Sequence, residues 1–325
     1  MIVTLTANPS LDRTITLPAA LRVGDVQSAA SAREDAGGKG INVARAVTAA
    51  GEECTAVLPL AIGDPFAAAL REANVHTHRV AVAGAVRANL AITDPAGVTT
   101  KLNLPGAGLS PDEVGGVIDA VVAASVGARW LVLAGSLPPG AGEDLYVRVI
   151  AAVRAAHGAA SPLVAVDTSG AALAAVVADG APDLIKPNDE ELSELAGATL
   201  GQADAGAIAD IARTIVPTRA RSALITLGAR GALLVDADGA WAATPPPIQV
   251  VSTVGAGDSS LAGYVLAATR GAGPEERLRL AVRYGAAAAS LPGTQAPAPA
   301  DLPSGDVPVT RLAEHSSTPR PRRSS

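Results

Sequence analysis

The sequence of 325 residues has little cysteine, histidine or aromatic character. Cys54 is the only cysteine, so no disulfide can form within the chain, and this predicts a cytoplasmic enzyme. Four scattered histidines and one cysteine do not make a zinc site. Aromatic residues make up 2% of the chain and hydrophobic residues 49%, so Ala, Val and Leu must fill the core.

The sequence also lacks the features of a membrane protein or a nucleic-acid-binding protein. A formal net charge of -6 and a pI near 5.3 disfavour a polyanion as the main partner, although a phosphorylated metabolite needs only a local cluster of donors. The segment Met1–Asn8 has neither the basic start nor the long apolar run of a signal peptide. The longer uncharged runs are broken by Pro, Gly and Thr, so no membrane-spanning segment is predicted.

Short aliphatic runs alternate with Ala-rich helical patterns along most of the chain. Buried strands that alternate with helices are typical of an α/β fold with a mostly parallel sheet covered on both faces. The predicted strands are Ile2–Thr6, Thr55–Leu60, Trp130–Ala134, Leu163–Asp167, Leu184–Lys186 and Ala223–Thr226, and the predicted helices are Ile41–Ala50, Pro65–Ala73, Asp112–Ala124, Gly142–His157 and Asp189–Leu195.

Two segments depart from this alternation and predict a small separate sheet. Asp12–Leu17 alternates polar and apolar residues, and Val86–Thr93 with Val98–Asn103 forms a predicted hairpin around an Asp-Pro-Ala-Gly turn. Asp12, Arg87 and Lys101 belong to the polar positions of these strands. Such a sheet suits a lid over a polar substrate, and a plain surface hairpin with a wet side explains the pattern equally well.

We predict one domain over residues 1–312, with lid strands from about 12–17 and 86–103. From about Gly293 the composition shifts to Pro, Ala, Ser and Arg. The last residues, 313–325, are predicted to be a disordered, solvated tail.

The run Gly255-Ala256-Gly257-Asp258, followed by apolar residues at helical spacing, is the strongest chemical signal. Small residues at a helix start let backbone amides and the positive end of the helix dipole meet an anion. An acid in the first turn can then take a proton from an attacking hydroxyl. In isolation, a tight turn with a dipole-favoured aspartate is the better interpretation of this run.

Two further runs are individually weak. Gly38, Lys39 and Asn42 belong to a glycine loop that opens a helix, but Gly40 follows the lysine where a Walker A loop has Ser or Thr, and no dinucleotide fingerprint follows the first strand. In the run Leu184–Glu191, Asn188 and Glu191 have the spacing of a helix capping box. Their oxygens could equally orient water around Mg²⁺.

Two loops follow predicted strands, where an open parallel sheet binds its ligands. One is Gly135–Gly140, which contains Ser136. The other spans Thr226–Gly231, and it could also be an ordinary turn between two strands.

Taken together and in this order, these runs resemble the ribokinase-like sugar kinases, and within them the phosphofructokinase B branch close to the 1-phosphofructokinases. The resemblance covers the chain from Met1 to about Pro297 and implies a three-layer domain with a small β-sheet lid. It implies that Asp258 is the catalytic base and that Gly255, Ala256 and Gly257 hold the transferring phosphoryl group. The implied substrate-binding residues are Asp12, Gly38, Lys39, Asn42, Arg87, Lys101 and Ser136, the implied nucleotide-binding residues are Lys186, Asn188, Thr226, Gly228 and Gly231, and Asn188 and Glu191 are the implied Mg²⁺-organising residues.

The resemblance further implies ATP-dependent phosphorylation of a ketohexose monophosphate, with fructose 1-phosphate as the expected acceptor and Mg²⁺ as cofactor. It leaves a K⁺ requirement open and suggests a homodimer through the lid strands. Fructose 6-phosphate, tagatose 6-phosphate, an unphosphorylated sugar or a nucleoside are alternative acceptors. A non-catalytic sugar or nucleotide sensor is the rival from another class, although a protein that only binds needs no base at Asp258.

Overall fold

A computed structural model describes residues 1–201 and 203–313 of the chain. Most of the aliphatic runs become strands whose residues alternate between two helical layers. The strands are β1 (Ile2–Leu5), β2 (Ser10–Thr16), β3 (Ser31–Gly37), β4 (Cys54–Ala61), β5 (His76–Val82), β6 (Arg87–Thr93), β7 (Thr99–Asn103), β8 (Trp130–Ala134), β9 (Leu163–Asp167), β10 (Leu184–Ile185), β11 (Ser222–Thr226), β12 (Ala232–Asp236), β13 (Gly239–Ala243) and β14 (Val309–Arg311).

The helices cover the larger sheet on both sides. They are α1 (Lys39–Ala49), α2 (Phe66–Glu72), α3 (Pro111–Ala124), α4 (Leu145–His157), α5 (Gly170–Ala175), α6 (Asp189–Ala196), α7 (Ala205–Ala212), α8 (Ala256–Thr269) and α9 (Pro274–Ala289). Apolar residues of α1, α2, α8 and α9 form one core with the sheet, and those of α3 and α4 form a second core on its other face. A third core includes α6 and α7. In the described residues, no helix is long and apolar enough to cross a membrane.

The larger sheet has ten strands in the order β14-β13-β12-β11-β10-β9-β8-β1-β4-β5. The seven strands from β11 to β5 pair in parallel, and β12, β13 and β14 add an antiparallel edge. This confirms the predicted three-layer α/β architecture. Parallel pairing brings the carboxyl ends of the central strands to one edge, where a crevice for ligands is expected.

The second sheet is the predicted lid, in the order β3-β2-β6-β7. Asp12 pairs with Asn89, and Asn89 pairs with Asn103, so these residues share one face. The alternation of the strands places Arg87 and Lys101 on that face as well. The predicted turn forms: Asp94 Oδ1 accepts hydrogen bonds from the amides of Ala96 and Val98.

Several elements were not predicted from the sequence. The third lid strand, β3, carries Arg33, Glu34 and Asp35 and is largely exposed, so it has no apolar pattern. The two edge strands β5 and β14 and the antiparallel strands β12 and β13 were also missed. The predicted bounds of β8 and β9 agree with the structure, and the other predicted boundaries differ by at most three residues; β10, for example, ends at Ile185 before Lys186. The predicted tail lies outside the described residues from position 314 onward.

Candidate active site

The crevice is formed where the starts of α1 and α8 meet the carboxyl ends of the central strands. Gly38 precedes α1 with φ of 120°, and a Cβ at that position would stand 2.6 Å from Thr6 Cγ2. Gly255 precedes α8 with φ of 78°, in the left-handed region that favours glycine. Helices α1 and α8 pack against each other, so their first turns lie side by side.

Asp258 is the third residue of α8 and is only 7% exposed. Its Oδ2 accepts a hydrogen bond of 2.8 Å from Nδ2 of Asn42, in the first turns of α1. Burial, together with the negative charge of Asp167, raises the pKa of Asp258 to about 6, although Asn42, Lys39 and Lys186 oppose this shift. A carboxylate with a pKa near 6 is ionised at neutral pH and suits a general base.

Asp167, the last residue of β9, joins the two predicted lysines. Its Oδ1 lies 2.7 Å from Nζ of Lys39, and its Oδ2 lies 3.1 Å from Nζ of Lys186. Burial alone would raise the pKa of Asp167, but the two cations hold it below its usual value. Burial lowers the pKa of Lys39, but the charge and hydrogen bond of Asp167 have the larger effect, so the pKa of Lys39 is raised. The loop predicted to bind the sugar and the run predicted to bind the nucleotide therefore share one buried anion.

Sequence analysis did not single out Asp167. A signal was present, because the residue ends a predicted central parallel strand, where ligand-binding residues concentrate. Its partners, however, lie 128 residues before it and 19 residues after it. Only the fold brings them together.

On the lid, Asp12 is held by its neighbours. Its Oδ1 accepts hydrogen bonds from Ser10 Oγ at 2.7 Å and from Asn89 Nδ2 at 3.0 Å. A Cβ on Gly37 would overlap the Asp12 carboxylate at 2.2 Å, so the glycine makes room for this side chain. Burial raises the pKa of Asp12, while the hydrogen bonds and the nearby Arg87 counteract the shift.

Arg87 and Lys101 differ in their surroundings. The Nε of Arg87 is buried without a hydrogen-bond partner among the described residues, and burial lowers the pKa of the guanidinium while Asp12 counteracts the shift. The side chain of Lys101 is exposed and forms no hydrogen bond or ion pair with residues 1–201 and 203–313. Ser136 is also exposed, and its Oγ accepts a 3.3 Å hydrogen bond from Nδ2 of Asn8, a residue that the sequence analysis had not assigned to the site.

The predicted nucleotide residues gather at the ends of β10 and β11. Asn188 and Thr226 form a parallel bridge next to Lys186, and the Thr226 amide donates to the carbonyl of Pro187 at 3.0 Å. Gly228 and Gly231 follow in a short turn, with φ of 57° and 97°. A Cβ on Gly231 would stand 1.9 Å from the Ala243 carbonyl oxygen, so this position excludes any side chain.

Asn188 and Glu191 form the capping box that their spacing predicts. Asn188 Oδ1 accepts from the Glu191 amide at 2.7 Å, and Glu191 Oε2 accepts from the Asn188 amide at 2.9 Å. No group of three His, Cys, Asp or Glu side chains that could hold a metal occurs within residues 1–201 and 203–313. Asn188 and Glu191 offer amide and carboxylate oxygens, the donor type that Mg²⁺ prefers, and two such residues fit an ion that keeps most of its water shell.

Comparisons with known proteins agree with this fold. The 1-phosphofructokinase of Xanthomonas campestris pv. campestris is 37% identical over 271 residues, which cover 82% of this chain and 83% of the relative. A crystal structure of Escherichia coli phosphofructokinase-2 with fructose-6-phosphate has a TM-score of 0.81 at 33% identity, covering 89% and 93% of the two chains. Arabidopsis thaliana ribokinase complexed with ribose and ATP shares the fold, with a TM-score of 0.69 at 22% identity over 93% and 95% of the chains.

The fold and the site thus define a ribokinase-like phosphotransferase that acts on an alcohol group. Residues 6–301 match the family model described as pfkB family carbohydrate kinase. The chain belongs to this family, which implies that ATP is the phosphoryl donor.

Proposed function

We propose that this kinase transfers the γ-phosphoryl group of ATP to a hydroxyl of a ketohexose monophosphate, and that the acceptor is fructose 1-phosphate, giving fructose 1,6-bisphosphate. The observation that carries the proposal is the place of Asp258: a buried carboxylate with a pKa of about 6, in the first turn of a helix whose free amides share the crevice with Lys186. The base, Asp258, therefore lies next to an anion site formed by Lys186 and the amides at the start of α8.

The reaction needs mainly positioning and neutralisation of charge. Asp258 accepts the proton of the attacking hydroxyl while the new oxygen–phosphorus bond forms and the bond to ADP breaks. In the first turn of α8, the Gly257 amide has no partner within the helix and can donate to the transferring group, whereas the Ala256 amide makes a long hydrogen bond of 3.4 Å to the Thr253 carbonyl that it would have to exchange for the phosphoryl oxygen. Asp258 need not be strongly basic, because the hydroxyl becomes acidic only as its bond to phosphorus forms.

Lys186, Asn188, Thr226, Gly228 and Gly231 would hold the nucleotide. Asn188 and Glu191 would orient the water shell of Mg²⁺, which neutralises phosphate charge when it is bound. A structure of the related Escherichia coli phosphofructokinase-2 is in complex with potassium, and K⁺ is accordingly proposed as a further cofactor.

The sugar would lie between the lid and the start of α1. Asp12, Gly38, Lys39 and Asn42 would contact its hydroxyls. The unpaired, buried Nε of Arg87 supports an acceptor that already carries a phosphate, since a buried guanidinium donor without a partner is unfavourable until an anion arrives. Ser136 and Lys101 would complete this phosphate site; Lys101 lacks the fork of an arginine, and its contribution is smaller.

Fructose 6-phosphate is the second candidate acceptor. It is favoured by the structural likeness to Escherichia coli phosphofructokinase-2, whose crystal structure contains this sugar phosphate. Tagatose 6-phosphate is a further alternative within the same chemistry. Fructose 1-phosphate would present its 6-hydroxyl to Asp258, whereas the two 6-phosphates would present their 1-hydroxyl and differ from each other only in configuration at C4. The phosphate clamp on the lid would serve all three.

The test is an ADP-release assay across fructose 1-phosphate, fructose 6-phosphate, tagatose 6-phosphate and unphosphorylated fructose, with kcat/KM compared. Fructose 1-phosphate should have the highest value. The same assay on Asp258→Asn should show a loss of about 10²-fold or more in kcat for every acceptor. Near-normal turnover by a folded Asp258→Asn variant would refute the mechanism, whereas a different preferred acceptor would correct only the substrate.

We also propose a cytoplasmic location and a homodimer through the lids. Support for the dimer comes from the lid face opposite Asp12, called here the outer lid face, which carries Ile15, Leu90, Ile92 and Leu102. These apolar side chains are only partly buried, and Leu102 is 50% exposed. Contiguous apolar surface of this kind is typical of an interaction site.

A further inference from the structure

Asn42 connects two parts of the site that are far apart in sequence. It is the fourth residue of α1, and its amide donates to the Gly38 carbonyl at 3.0 Å, so the helix fixes its backbone. Its side chain is 8% exposed and reaches across to α8, where Nδ2 donates to Oδ2 of Asp258 at 2.8 Å. A Cβ on Gly255 would stand 4.0 Å from Nδ2 of Asn42, so the residue before α8 also packs near this nitrogen.

The same carboxamide keeps one unused acceptor. Oδ1 of Asn42 is buried and has no hydrogen-bond partner within the described parts of the chain. A buried carbonyl oxygen without a donor is unfavourable. Oδ1 and Nδ2 belong to the same carboxamide, and Nδ2 is bonded to Asp258. A ligand hydroxyl that donates to Oδ1 of Asn42 would therefore lie next to the carboxylate of Asp258. A polyol that enters the crevice brings such a donor.

On the basis of the proposed function, we infer that Asn42 is the positioning residue of the base. Its Nδ2 holds Oδ2 of Asp258 and thereby leaves Oδ1 of Asp258 to face the attacking hydroxyl, while Oδ1 of Asn42 accepts a hydrogen bond from a second hydroxyl of the same sugar. The proton of the attacking hydroxyl passes to Asp258, and Asn42 gains and loses no proton. The acceptor class is a sugar phosphate with a second hydroxyl within reach of the one that reacts.

The charged surroundings of Asp258 make the role of Asn42 measurable. Asp167 on β9 raises the pKa of Asp258, while Lys39 on α1 and Lys186 after β10 lower it. Asn42 is the neutral member of this group and lowers the pKa by donating to the ionised form. Replacing that donor changes the protonation of the base, which loss of a sugar contact alone would not do.

The decisive variant is Asn42→Asp, which keeps the shape and an acceptor oxygen but removes the donor and adds a carboxyl group beside Asp258. We expect the acid limb of the kcat–pH profile to move upward by about one pH unit or more. The KM for fructose 1-phosphate should change by less than about threefold, because the acceptor for the second hydroxyl remains. Asn42→Ala removes both bonds and should raise KM and lower kcat, each about tenfold.

Asn89→Asp is the matched control. Asn89 also donates through Nδ2 to a carboxylate, that of Asp12 at 3.0 Å, and its Oδ1 is likewise buried without a partner in the described regions. The same substitution there should alter KM and leave the acid limb where it is. Thermal melting of each variant checks folding.

An Asn42→Asp variant that changes only KM, with an unmoved acid limb, would overturn the inference and reduce Asn42 to a sugar ligand. If Asn42→Asp does not fold, the neutral Asn42→Ala decides: a loss confined to KM overturns the inference, and a fall in kcat at saturating sugar supports it. The proposed function is tested separately, since an active Asp258→Asn would defeat the kinase mechanism whatever Asn42 does.

Discussion

The ammonium group of Lys186 lies directly against Gly257, in the first turn of α8. A Cβ built on Gly257 would stand 3.3 Å from Nζ, tighter than ordinary van der Waals contact. Lys186 is 4% exposed and paired with Asp167, so its side chain has little freedom to move aside. Because Gly257 has no side chain, the ammonium group of Lys186 can lie next to the unpaired amides at the start of α8. A phosphoryl group in transfer needs a cation and amide donors placed together in this way.

Replacing Gly257 by Ala should separate stability from activity. Alanine is the better helix former by up to about 1 kcal/mol, but its methyl group presses on the ion-paired Lys186 and offsets this gain, so the free energy of unfolding should change by less than about 1 kcal/mol. The methyl group should displace Nζ of Lys186 and reduce kcat/KM for ATP about tenfold or more. Gly115→Ala is the matched control, since Gly115 lies inside α3 with open space around its Cα and far from the crevice. Equal activity in the two variants would contradict the anion site.

The pKa of Asp258 predicts how activity depends on pH. The ionised carboxylate is the base, so kcat at saturating substrates should fall below about pH 6, by up to about tenfold per pH unit. The residual activity of Asp258→Asn should lack this limb. An acid limb shared by both proteins would belong to a substrate phosphate or to another residue.

The same pKa predicts how stability depends on pH. The folded value of about 6 lies above the ordinary 3.8, so the folded state binds this proton more tightly than the unfolded state. The stabilisation is therefore complete below about pH 4 and is lost as pH rises through 6. Between pH 4 and 7.5, Asp258→Asn should gain up to about 3 kcal/mol relative to the wild type, measured by urea unfolding at each pH. A constant difference would show that Asp258 is not desolvated.

Much of this arrangement was predictable because local patterns carry it. The apolar runs predict the central strands, and the Asp-Pro-Ala-Gly turn predicts the lid hairpin. The glycine runs before α1 and α8 predict helix starts that can bind a ligand. The charged strand β3 has no such pattern, since it lies exposed and is held by pairing with β2. The Asp167 ion pairs and the bond between Asn42 and Asp258 join residues that are distant in sequence, so no local signal could place them.

Glu191 can be tested without disturbing its helix. Glutamine at this position also completes a capping box, so Glu191→Gln should change the free energy of unfolding by less than about 0.5 kcal/mol. Loss of the charge should raise the Mg²⁺ concentration needed for half-maximal activity about tenfold. Glu113→Gln, in the capping box of Ser110 and Glu113 on α3, is the control. If both variants have the same Mg²⁺ dependence, Glu191 is only a cap.

Arg87 should discriminate phosphorylated from plain sugars. Arg87→Ala should raise KM for fructose 1-phosphate about tenfold or more and leave the weak turnover of fructose unchanged. Arg87→Lys keeps the positive charge but loses the two-pronged guanidinium group, so its KM for fructose 1-phosphate should lie between those of the wild type and Arg87→Ala. Lys101→Ala should have a smaller effect, because the side chain is exposed. A uniform loss on both sugars in Arg87→Ala would argue against a phosphate clamp and for a structural role in the lid.

The outer lid face makes a prediction about assembly. Leu90 lies at its centre, between Arg13 on β2 and Leu102 on β7. If two lids pair through this face, the wild type should sediment with twice the 32.0 kDa of one chain, and Leu90→Glu should sediment as the monomer, since a buried unpaired charge is strongly unfavourable. Val126→Glu places the same charge on an apolar side chain that is 65% exposed just after α3, and this control should remain dimeric. A monomeric wild type would exclude the lid dimer, and a dimeric Leu90→Glu would move the interface to another surface.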